Sequence, residues 1–270
     1  MHIAEGFLPS AHAAAWTVVA APFVIHGARE VVKTVRQTPK AGVLLGVAGA
    51  FTFVMSAIKL PSVTGSSSHP TGTGLGTIIF RPPVMAFVAT VVLLFQALLL
   101  AHGGITTLGA NVFSMGVAGP WAAYGAFLVC RRVAVPLLGS VFVAAFLADL
   151  VTYLATSAQL ALAFPSAEHG LWYSMGEFLA VFALTQIPLA IVEALVVVVV
   201  VGVLLRIASH ELDLLGFFRR ARLTGAGSTS GTGDPDGAGD TGSTGHTGDA
   251  PNPGAVAGSV EPTTTAEEAR

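Results

Sequence analysis

The sequence is poor in charge and almost devoid of cysteine. Lys, Arg, Asp and Glu make up 10% of its 270 residues, against roughly 25% in a soluble domain. With 53% hydrophobic residues and a mean hydropathy of +0.74, this scarcity reads as an integral membrane protein. The single cysteine, Cys130, excludes an intramolecular disulfide and any cysteine-rich metal site. No G-x-x-x-x-G-K-[S/T] stretch is present, so these residues bind no nucleotide through a P-loop. H-E-x-x-H and a nucleophile elbow are missing too, and with them two common routes to hydrolysis. The basic residues flank apolar runs and do not form the patches that bind nucleic acid. Residues 1 to 10 contain Glu5 and no Lys or Arg, so no cleavable leader is expected.

What is present begins at Met1-His2. A free amine on Met1, the His2 amide nitrogen and the His2 imidazole can close fused chelate rings of five and six members around one ion. A second loop, from Thr64 to Pro70, carries His69, an obvious fourth nitrogen. Four nitrogens in a plane suit a late divalent transition metal, Ni²⁺ or Cu²⁺ first and Co²⁺ after them. Glu5 stands three residues on, where it could bond the His2 ring or offset the charge of the ion.

Apolar runs at about 11–28, 41–60, 83–101, 108–129, 136–160 and 174–205 predict membrane helices. Pro22 should kink the first, and Arg29, Lys33, Arg36 and Lys40 should follow it in one short loop on the inner side. Six crossings alone would put Arg131-Arg132 outside. One more crossing at 71–80 brings Arg81, Arg131, Arg132 and Arg206 to the inner side together. Ten Gly-rich residues are tolerated at membrane depth only when packed inside protein. The expectation is therefore an all-α integral membrane protein of about seven transmembrane helices, its third crossing short and internal, with the N-terminus outside and the C-terminus cytoplasmic. Residues 1–215 would form the embedded body, and 216–270 a basic end followed by a disordered tail. From Thr224 onward there are seven acids, one Arg and no aromatic residue, too little apolar surface to fold.

The opening, the His69 loop and the stretch from Gln96 to Pro120 (QALLLAHGGITTLGANVFSMGVAGP) resemble the CbiM/NikM family, over roughly residues 1 to 215. That resemblance implies the substrate-capturing (S) component of an energy-coupling-factor transporter of the ABC type, built as a six-helix core plus one added N-terminal helix. It also implies that Met1, His2 and His69 hold the metal, with Asn111 and Ser114 close to the pocket. The implied cargo is Co²⁺ or Ni²⁺, with no resident cofactor and no enzyme activity in this subunit. The implied partners are a transmembrane coupling (T) component, two ATPase subunits and a small accessory membrane subunit, all in the plasma membrane.

His102, followed by Gly103 and Gly104 in that same stretch, is expected behind the ligands, at the lipid interface or as a gate. Met115 is expected to pack. Ala11 to Ala21 offer a small-residue surface for a partner helix. Asp149, Glu177 and Glu193 fall in or at the edge of spans, where acids are costly and usually functional. Lys59 is a candidate partner for Glu177. The competing reading is a secondary divalent-cation carrier that uses Asp149 or Glu193 for coupling.

Overall fold

The structure, a computed structural model, describes residues 2–61 and 66–222. Met1 and most of the expected tail lie outside the described residues. In chain order the elements are β1 (His2–Ile3), α1 (Ser10–Gln37), α2 (Ala41–Ala57), β2 (Leu60–Pro61), β3 (Ser66–Ser68), α3 (Thr73–Phe80) and α4 (Pro82–Leu100). Then come α5 (Leu108–Val112), a π-helical segment (Phe113–Ala118), α6 (Gly119–Arg132), α7 (Leu137–Ala163), α8 (Gly170–Ile207), α9 (Ser209–Leu214) and α10 (Phe217–Ala221). Among the described residues five helices are long and apolar enough to cross a membrane, counting 108–132 as one, and α2 is a shorter apolar helix. The chain is an all-α, multi-pass membrane protein.

The third crossing is the short internal one that the charge distribution demanded. All eight residues of α3 are buried. Its glycines allow this: a Cβ on Gly74 would stand 2.8 Å from the Ala145 Cα of α7, and one on Gly76 would stand 2.3 Å from the Met85 sulfur of α4.

Two expectations for α1 need correction. The helix runs on through Pro22 to Gln37, so Arg29, Lys33 and Arg36 are helical residues and only Lys40 falls in the loop. At 1.5 Å per residue its 28 residues span about 42 Å, some 12 Å more than the hydrocarbon core. The apolar run ends near Ala28, but nothing breaks the helix before Pro39. The small-residue surface also divides. Ala13, Ala20 and Gly27, seven apart, are buried inside the bundle, and a Cβ on Gly27 would meet the Pro83 carbonyl at 2.2 Å. Ala11, Ala14 and Ala15 remain exposed.

The two ends of the bundle differ. At one end, Lys33, Arg81 and Arg220 line a polar cavity of about 180 Å³. There Arg131 donates to the Ala221 carbonyl (2.8 Å) and Phe217 is buried against Phe127. The folded body thus reaches at least Arg222, past residue 215. Arg220 also donates to the Ile79 carbonyl (2.6 Å), capping the C-terminal end of α3 with a cation. The other end carries a small sheet with strand order β1-β3-β2, antiparallel throughout, pairing His2 with Ser67, Ile3 with Ser66 and Leu60 with Ser68.

Candidate metal centre

The sheet is what brings the N-terminal strand to the His69 loop. β1 is also tied down from α5. The Ile3 N–H donates to Asn111 Oδ1 (2.8 Å), and the Ile3 carbonyl accepts from Asn111 Nδ2 (3.1 Å) and Thr107 Oγ1 (2.9 Å). Glu5 accepts from the Thr106 N–H at 3.2 Å, and Gly6 N–H donates to Thr106 Oγ1 at 3.0 Å. Thr106, its side chain first, thereby holds the exposed Glu5 carboxyl below the usual carboxylate range. Glu5 is thus a clasp on the 102–107 loop, and its recorded hydrogen bonds go to Thr106 and not to the His2 ring. Gly104 permits that clasp, since a Cβ there would fall 2.5 Å from the Glu5 Cα. Ser114 is buried and donates to the Asn111 carbonyl (3.2 Å).

These ties converge three imidazoles. His2, His69 and His102 are 1%, 0% and 2% exposed. Their ring centroids lie 4.2 Å (His2–His69), 4.4 Å (His2–His102) and 4.9 Å (His69–His102) apart. One potential ligand atom from each lies within 4.8 Å of the others. Ligands on opposite sides of an ion bound at about 2.0–2.1 Å are at most about 4.2 Å apart, so capture requires only a small contraction.

Each ring has one nitrogen engaged and one left over. His69 Nδ1 faces the Pro70 carbonyl at 2.7 Å. A carbonyl only accepts, so Nδ1 carries the proton and the lone pair sits on Nε2, which has no partner. His2 Nε2 lies 3.4 Å from the Met115 sulfur, leaving Nδ1 unpartnered. Nδ1 is the atom that a six-membered ring with the His2 amide nitrogen requires. His102 Nε2 meets Ser67 Oγ at 2.9 Å, and its Nδ1 is unpartnered. Three buried nitrogens without partners in one place call for a ligand. Burial, and then the neighbouring His69 ring, hold the His2 imidazole well below its ordinary 6.5. Burial likewise lowers His69, and takes His102 to about 4. All three rings are therefore neutral near pH 7, the form that binds metal.

The structure thus places His2 and His69 side by side, as the chelate reading requires, and adds His102 on equal terms. Met115 packs with its sulfur against the His2 ring. Met1 lies outside the described residues. What the sequence reading missed was the weight of His102. The available signal was its position, a histidine after one apolar run and beside Gly103, at the same end as the His69 loop. The acids are arranged differently from expectation. Glu177 is exposed, and the Lys59–Glu177 pair is not formed; the ion pairs among the described residues are Glu30–Lys33 (3.8 Å) and Glu168–His169 (3.9 Å). Asp149 and Glu193 are fully buried and bonded to uncharged groups, Asp149 to Gln186 (2.5 Å) and Glu193 to Thr71 and Gly72.

Residues 2–211 match the family described as "Cobalt uptake substrate-specific transmembrane region". The chain is 61% identical over 216 residues to the cobalt transport protein CbiM of Streptomyces coelicolor, covering 80% of this chain and 93% of that one. It is 53% identical over 216 residues to the CbiM of Propionibacterium freudenreichii, covering 80% and 92%. The solved crystal structure of a transition metal transporter superposes with a TM-score of 0.69 at 25% identity, covering 81% of this chain and 99% of that one. A truncated transition metal transporter gives 0.67 at 26% identity, covering 76% and 99%.

Proposed function

This chain belongs to the CbiM family of cobalt-uptake membrane proteins, and from that premise we propose that it is the metal-capturing subunit of an energy-coupling-factor importer. It is a membrane transport protein and not an enzyme. The cargo is Co²⁺, with Ni²⁺ as the competitor to test. The observation that carries the reading is the trio of buried imidazoles, each with one nitrogen fixed and one free.

In this reading the ion arrives at the sheet end of the bundle, which faces outside, and the basic end faces the cytoplasm by the positive-inside rule. His2 supplies Nδ1 and its amide nitrogen, Met1 its amine, and His69 its Nε2. His102 adds a further nitrogen from the opposite loop. Asn111 and Thr107 hold the chelating strand, and Ser114 supports Asn111. Glu5 fastens the 102–107 loop beneath it. Neutral imidazoles in a site closed to water favour a nitrogen-seeking late transition ion over Mg²⁺ or Ca²⁺, which prefer oxygen.

The 270 residues contain no P-loop. The driving energy therefore comes from two ATPase subunits, through a transmembrane coupling component and with a small accessory membrane subunit. The test is Co²⁺ uptake into vesicles with and without those co-produced partners. Uptake that needs ATP and is lost in His69→Ala supports the proposal. ATP-independent uptake that is lost in Asp149→Asn, with Co²⁺ binding intact, would establish a secondary carrier instead.

A further inference from the structure

The described residues contain two buried carboxylates, Asp149 of α7 and Glu193 of α8, and neither touches the metal cluster. Both are connected to the backbone that presents His69. Glu193 Oε1 accepts from the Gly72 N–H (2.9 Å) and from the Thr71 hydroxyl (2.9 Å), and its Oε2 accepts from the Thr71 N–H (2.5 Å). Two turns earlier on the same helix, Gln186 Nε2 donates to the His69 carbonyl (3.0 Å) and to Asp149 Oδ1 (2.5 Å). Thr185 Oγ1 donates to Ser68 Oγ (2.8 Å). The face of α8 thus grips every residue from Ser68 to Gly72 except Pro70, whose carbonyl fixes the His69 ring.

The grip sits at a sharp bend. Gly72 takes the left-handed conformation (φ 68°) and is the N-cap of α3. A Cβ there would fall 2.7 Å from the Thr52 Cα of α2, so the turn has no spare room. Free N–H groups at a helix start carry a partial positive charge, and both oxygens of Glu193 accept from them. A carboxylate is an expensive way to satisfy two N–H groups inside a membrane. It becomes intelligible when a divalent cation is to be held two residues away.

We propose that Glu193 is a positioning residue for metal capture: by clamping Thr71 and Gly72 it sets the direction of His69 Nε2 and supplies counter-charge to the incoming ion. The proposal rests on His69 being a ligand, and the experiment separates the two claims. Partners lying behind metal ligands typically change affinity about 10- to 100-fold when altered. Purified full-length protein is titrated with Co²⁺ by calorimetry, and the visible spectrum of the bound ion is recorded. Glu193→Gln keeps the shape, removes the charge and points an amide at N–H donors. It should weaken binding by about 10- to 100-fold, keep the stoichiometry and alter the Co²⁺ spectrum. Thr71→Val, which keeps the backbone bonds, should show a smaller change of the same kind. Val201→Ala, in the core toward the basic end, controls for stability; it should lower the melting temperature yet bind as the unmodified protein does.

Unchanged affinity and spectrum in Glu193→Gln would overturn the proposal, as would an equal loss in Val201→Ala. Should Glu193→Gln fail to fold, unchanged binding in Thr71→Val overturns it alone. Unchanged binding in His69→Ala would instead remove the metal-site reading beneath it.

Discussion

Asn111→Ala tests whether the N-terminal strand is held for the metal by the loop and helix that face it. Ile3 is fully buried, and Asn111 serves both of its backbone groups, at 2.8 Å and 3.1 Å. In the variant the Ile3 carbonyl keeps Thr107 Oγ1 at 2.9 Å, but the Ile3 N–H loses its side-chain partner. A buried donor left without a partner costs about 1–3 kcal/mol. If docking of β1 and capture of the ion are one event, that cost appears in full as lost affinity. At about 1.4 kcal/mol per factor of ten, Co²⁺ should bind about 5- to 150-fold more weakly, with His2, His69 and His102 all intact. Asn111→Asp still accepts from the N–H but sets a carboxylate oxygen against the Ile3 carbonyl, so it should do no better. The assay is calorimetric titration of the purified protein, with a melting curve of the metal-free form to confirm that the bundle persists. A folded Asn111→Ala that binds Co²⁺ as tightly as the unmodified chain would refute the coupling of β1 to the site.

One residue added ahead of Met1 displaces the amine, and binding should be lost; unchanged affinity by the same titration would exclude the amine as a ligand. The pH dependence of the metal-free protein has a definite sign. The unfolded chain takes up protons on its histidines as pH falls through about 6.5, whereas folded His102 does so only near 4 and His2 and His69 are lowered too. Stability should therefore decline as pH falls from about 6.5 toward 4, and melting temperatures that stay level across that range in the unmodified protein but not in His102→Gln would contradict the burial argument. With Cys130 replaced by Ser, a cysteine at position 131 should react with a membrane-impermeant reagent from the cytoplasmic side and one at 105 from outside; the reverse would invert the bundle.

The sequence spoke clearly where one physical term dominated. Hydropathy marked the spans, and the placement of Arg81, Arg131 and Arg132 forced the short crossing that α3 provides. Hydropathy was silent on helix length beyond the membrane, so α1 is longer by the turns that carry Arg29, Lys33 and Arg36. The sheet was not legible, because β1 and β2 have two residues and β3 three, too few for alternation to show. His2 and His69 could be picked out by chelate chemistry and resemblance. His102 could not be ranked with them, since tertiary contacts bring the third ring in: the strand pairing of His2 with Ser67, the Ser67–His102 bond and the ties of Ile3 and Glu5 to residues 106–111. For Glu193 the sequence offered only a costly intramembrane acid, with coupling as the competing use, because its partners, Thr71 and Gly72, are 122 and 121 residues away along the chain.

In the proposed function the start of the chain and the distant His69 loop share one ion. X-ray absorption at the cobalt edge of the loaded protein, repeated on His2→Ala and His69→Ala, tests it most directly. A nitrogen-dominated shell with imidazole scattering is expected in the unmodified protein, and no stoichiometric cobalt in either variant. A shell dominated by oxygen, or an unchanged spectrum after either substitution, would contradict it.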